Sequence, residues 1–136
     1  MQRQRDVEVY IRDCPLERAV AWVRAVCGPL VGPLDCGGPV AYHPPAGAVV
    51  LTTGVDGAFL GVWFNTPCRP WDTDMECGRA AAVELGCVVR CDPGPHYPEV
   101  HPLSDVFLEI ADGSERLLVW EPQDAESGAA ADGGGT

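Results

Sequence analysis

Lysine is missing from this chain of 136 residues: all nine basic residues are arginine, set against 20 aspartates and glutamates. Without lysine the phosphate-cradling loop that ends in Gly-Lys-Ser/Thr is excluded. No dinucleotide glycine fingerprint and no Gly-x-Ser-x-Gly elbow occurs either, so the common cofactor and hydrolase motifs lose support. No stretch approaches the ~18–20 consecutive apolar residues of a membrane span. There is no C-x-x-C pair, the usual half of a structural zinc site. Residues 1–5 (M-Q-R-Q-R) lead into a polar strand rather than an apolar signal core. A cytoplasmic chain with reduced thiols is therefore expected.

Positive charge is scarce as well. The net charge is −11, and setting aside the C-terminal residues 122–136 leaves 17 acids against 9 bases. The acidity thus belongs to the body of the chain. A field of that sign repels nucleic acid and anionic membrane and favours a basic protein partner, although solubility accounts for it equally well. Arginine without lysine, amid abundant Ala, Gly, Pro and Val, matches the codon bias of a GC-rich bacterial genome.

What is present reads as one domain over residues 1–121 and an acidic Gly/Ala-rich tail over 122–136 without core formers, expected to be disordered. Val7, Val9 and Ile11 alternate with Glu8, Tyr10 and Arg12, the pattern of a half-buried strand. Asp13 sits where a helix N-cap belongs. Leu16, Ala19, Val20, Val23 and Cys27 follow at helical spacing until Gly28-Pro29. Residues 28–38 are rich in Gly and Pro and are expected to form a loop, with a short strand from Val40 to His43. Two apolar runs, 47–54 and 58–64, flank Asp56-Gly57, a pair suited to a tight hairpin turn. Their near continuity points to cover on both sheet faces.

Thr73 and Glu76 stand at capping-box spacing before a helix rich in small residues that reaches Leu85, with Gly86 as its stop. Cys87 to Cys91 is a further strand. A second hairpin turns at Asp112-Gly113. The expected fold is α+β: a mostly antiparallel sheet with two helices packed on it, in the order β-α-β-β-β-α-β-β-β. The Pro-punctuated loops 65–71 and 92–102 are expected at opposite ends of the helix–strand unit between them.

Three sets of side chains bear on chemistry. Asn65, Arg69, Trp71, Asp72 and Asp74 combine an aromatic with carboxylates at a helix entry, a composition suited to a basic protein surface. Trp71 stapling the helix to the core, with the two aspartates satisfying the helix N-terminus, explains the same residues. Cys91, His96 and His101 are ligand types for zinc at a non-standard spacing, and two surface histidines on a turn explain them as well. Cys14, at a helix start where the dipole lowers a thiol pKa, and Cys68 are candidate nucleophiles. No residue is assigned a catalytic role and no cofactor is expected. A pocket lined by Trp63, Trp71, His96, Tyr97 and His101 is the alternative, a small enzyme or small-molecule-binding protein of a biosynthetic pathway.

The stretches W-F-N-T-P-C-R-P-W-D-T-D-M-E-C-G-R-A-A-A, V-R-C-D-P-G and S-D-V-F-L-E-I (63–82, 89–94 and 104–110) belong to a chain that resembles bacterial immunity proteins in size, acidity and α+β order. The resemblance implies a toxin-neutralising inhibitor without catalysis, whose partner is a toxin domain, often a basic nuclease.

Overall fold

A computed structural model of the chain describes residues 6–101 and 104–121. The tail expected to be disordered, 122–136, lies outside the described residues. Eight antiparallel strands form one sheet: β1 (Val7–Arg12), β2 (Val31–Asp35), β3 (Val40–His43), β4 (Ala48–Val55), β5 (Phe59–Asn65), β6 (Val89–Cys91), β7 (Val106–Ala111) and β8 (Ser114–Val119). Their spatial order is β2-β3-β4-β5-β1-β6-β7-β8. Helices α1 (Leu16–Cys27) and α2 (Asp74–Leu85) pack on one face.

The α+β class and the two helices agree with the sequence reading; the strand count exceeds it by one. Residues 31–35, expected as loop, form β2. This strand is exposed throughout and pairs only with β3, with an irregularity between Val31 and Leu34. Pro33 is tolerated because an edge strand needs no donor on its outer side. Asp13 is not the N-cap of α1: it has a φ of 54°, and Pro15 holds the cap position. The other local signals form as written. Thr73 and Glu76 close a capping box, Gly86 ends α2 in the left-handed region, and both Asp-Gly turns carry positive φ at each residue.

The β1 register fixes which side chains share a face. Val7, Val9 and Ile11 lie opposite Phe64, Val62 and Leu60 of β5, and all six are buried beneath the helices. Trp22 of α1 meets Phe64 edge-on at 5.6 Å. Gly78 lets α2 approach the sheet, since a Cβ there would lie 3.1 Å from both Cys91 Sγ and Ile110 Cδ1. The alternate residues Glu8, Tyr10, Gly61 and Trp63 therefore point away from the helices. On that second face Val55, Phe59 and Trp120 form a separate cluster with Tyr10, Phe107 and Leu118 against it. Trp120 touches Tyr10, Phe59 and Phe107 at 4.8–5.2 Å, and its indole donates to Asp56 at 2.7 Å. Contact from the end of β8 to the β4–β5 turn requires the sheet to curl, so this face is concave.

Loops 65–71 and 92–102 do not lie at opposite ends, as expected from the sequence. Val7 pairs with Phe64 and Val9 with Cys91, so β5 and β6 both finish where β1 begins. One antiparallel strand inserted between them makes them parallel to each other, which the sequence order does not disclose.

Candidate functional site

The helix-free face carries a groove of about 380 Å³ lined by Glu8, Tyr10, Val50, Thr52, Val55, Gly61 and Trp63. Strand pairing builds it. Glu8 lies directly across from Trp63, and Tyr10 across from Gly61; Val50 and Thr52 extend the same rows on β4. Gly61 has no side chain, so the space beside the Tyr10 ring stays open. The Trp63 indole is pinned by its donation to Asp6 Oδ2 at 2.9 Å.

Glu8 is the charged group of the groove. Its backbone N–H donates to Asp74 Oδ1 at 3.1 Å, which fixes the strand start to the helix entry. Burial pushes its carboxyl above the usual range; the Tyr10 hydroxyl donates to it and opposes this, while the nearby Asp6 charge adds to it. No ion pair to Glu8 forms among the described residues.

On the next strand of the same face, directly across from Tyr10, lies Arg90. Its guanidinium carbon is 4.8 Å from the centroids of both Phe59 and Trp120. Glu109 accepts from it at 3.0 Å and from Arg116 at 2.8 Å. This cation, between rings and against a carboxylate, is largely hidden from water.

The proposed partner surface at the helix entry divides into structural and exposed members. Arg69 is buried and donates through Nη1 to the Trp71 carbonyl. Trp71 packs on Trp22 at 5.6 Å and on Phe64 at 5.3 Å. Asp74 binds the Glu8 amide. Asn65 and Asp72 are exposed, with the Asp72 N–H donating to Glu76 at 2.7 Å.

The metal set is not assembled. Cys91 is fully buried under α2, His96 and His101 are exposed, and no group of three or more His, Cys, Asp or Glu that suits a metal forms among the described residues. The small-molecule lining does not converge either. Trp63 faces the concave side, Trp71 the helix side, and Tyr97 packs against the helix-side core.

The Cys14 and Cys27 thiols are held protonated rather than activated. Burial, then the neighbouring Cys87, pushes Cys14 up to about 11, opposite to the lowering expected at a helix start. Cys27 is likewise pushed up to about 11 by burial and by Cys68. Cys14 and Cys87 are neighbours, because the antiparallel ladder continues past β1 through Arg12 N–H to the Val88 carbonyl at 2.9 Å, while their thiols donate to the Pro15 and Leu85 carbonyls at 3.6 and 3.5 Å. Treatment with a small-molecule disulfide is expected to take two electrons and two protons from this pair and leave a Cys14–Cys87 bridge. Peptide mapping that finds both thiols still open to alkylation, with exposed Cys36 alone modified, would contradict that contact.

No protein-family model, curated protein or solved structure matches the chain.

Proposed function

We propose that this chain is a non-catalytic binding module for a basic protein partner, of the kind that inhibits by masking, as immunity proteins do. The observation that carries the reading is the helix-free sheet face. It presents two aromatic rings and a partly buried carboxylate in one groove, on a chain of net charge −11. Aromatic side chains supply contact area at low entropic cost, and carboxylates select cationic partners. Of the thiols, Cys14 and Cys27 are pushed up by burial, away from the thiolate form a nucleophile needs.

The test is affinity capture from host lysate with three forms of the chain: wild type, Glu8→Gln with Trp63→Ala, and Asp72→Lys. One basic protein retained stoichiometrically by the wild type and lost from the groove variant is the expected result. Retention unchanged in the groove variant but lost with Asp72→Lys moves the interface to the helix entry. Retention of no basic protein by the wild type, at low salt, refutes the reading.

A further inference from the structure

We propose that the groove formed by Glu8, Tyr10, Gly61 and Trp63 is a receptor for a single arginine side chain of the protein partner. The inference rests on the binding-module reading and names the chemistry of its contact.

The chain itself displays the arrangement once already. Arg90 is held on the same face by Phe59 and Trp120 at 4.8 Å each, with Glu109 accepting from it at 3.0 Å. Two rings and a carboxylate is the full set of contacts that a planar cation takes: faces for dispersion and cation–π attraction, and an acceptor for its N–H fork. Glu8, Tyr10 and Trp63 repeat that set on the neighbouring strands. Where the first set surrounds the chain's own guanidinium, the second surrounds a groove of about 380 Å³.

The ring surface favours arginine over lysine, and the charge around it favours a cation. Trp63 lines the groove and its indole is held in one pose by the bond to Asp6. A flat guanidinium stacks on such a ring, whereas a compact ammonium, more strongly hydrated, gives up more water to enter. Glu8 is already partly desolvated and Asp6 adds a second negative charge beside it. The Tyr10 hydroxyl occupies one acceptor site of the Glu8 carboxylate and leaves others for the ligand.

Gly61 supplies a variant that fills the groove from a backbone position that accepts a Cβ. Its backbone φ is not in the left-handed region, and a Cβ there would make only ordinary contacts, at 3.5 Å to the Tyr10 ring and 3.7 Å to Val55. Gly61→Val thus suits a strand and projects two methyl groups into the groove.

The probe is N-acetyl-arginine amide, titrated into the full chain while the four tryptophan indole signals are followed by NMR. Saturable movement of the Trp63 signal in the millimolar range is expected. Glu8→Gln should weaken it about tenfold, as for loss of one charge-assisted hydrogen bond. Gly61→Val should abolish it, and N-acetyl-lysine amide should bind several-fold more weakly. No saturable movement of Trp63 overturns the inference, as does equal affinity for the lysine amide. Arg3 and Arg5 precede Glu8 closely in the sequence. Movement of the Trp63 signal in the Arg3→Gln, Arg5→Gln chain without added amide would assign the groove to the chain's own arginines and overturn it too. Failure here with a basic partner still captured through Asp72 leaves the binding-module reading intact. Arginine-amide binding with no partner captured removes that reading and leaves a guanidinium site.

Discussion

Glu109→Ala is expected to lower folding stability by about 3 kcal/mol, the range for breaking a buried ion pair by removing one member. The carboxylate side chain is 9% exposed and accepts from Arg90 and Arg116 through separate oxygens. Arg90 is itself only 15% exposed and lies between two rings, so without Glu109 its charge has little access to water. Arg116 is 71% exposed, and Arg116→Ala should cost less than about 1 kcal/mol, as for surface pairs. Urea unfolding of the two variants reads the difference directly; equal losses would show that Glu109 is stabilised no more than a surface charge.

The same residue sets an acid limit. Burial pushes the Glu109 carboxyl up, but hydrogen bonds from Arg116 and Arg90 outweigh it and hold the group below its ordinary value. A folded-state pKa below the unfolded one gives stability that is complete above the unfolded value and lost as pH falls through the folded value. Glu109→Gln should therefore flatten the acid side of the stability curve.

Gly47→Ala is expected to cost about 3 kcal/mol through a different cause, backbone collision added to left-handed strain of ~1–2 kcal/mol. Gly47 has a φ of +80°, and a Cβ there would run into the Asn65 carbonyl oxygen and lie 2.8 Å from Thr66 Cα. Neither obstacle is a flexible side-chain end. Thr66 is buried and its hydroxyl donates to the Ala46 carbonyl at 2.5 Å, which ties the two loops together. Gly57→Ala is the matched control: its φ is +82° but nothing lies within 4 Å of the added carbon. It should show the strain alone, about 1–2 kcal/mol. Thermal unfolding that places the two variants together would mean the loop contact at Gly47 yields freely.

Elements governed by neighbours in sequence were legible. The Thr73–Glu76 box, the Gly86 stop and both Asp-Gly turns depend on residues within one turn of each other, and all formed. β2 was not legible, because Gly32 and Pro33 are loop residues in any local scale and their place in a strand is granted by the pairing with β3. Trp22 lies on the buried side of α1 beside the residues whose spacing marks that helix. The groove depends on Glu8 meeting Trp63, a pairing settled only by sheet register. A faint signal existed: Phe59, Gly61 and Trp63 alternate within the apolar run, and a glycine between two large rings on one strand face marks a gap. The polar set Glu8, Tyr10 and Arg12 read as a solvent side; curling of the sheet turned that side into a wall of the groove.

The shared finish of β5 and β6 has a kinetic consequence. It gathers Asp6 and Glu8 at the start of β1, Asp72 and Asp74 at the entry to α2, and Asp92 after β6, carboxylates from three distant segments, at one end of the molecule. A cationic surface diffusing past is turned toward that end before any contact forms, and the pull fades beyond about 8–10 Å at physiological salt. If the proposed basic partner binds in the groove, ionic strength is expected to act mainly on how fast it associates, and Glu8→Gln or Trp63→Ala on how long it stays.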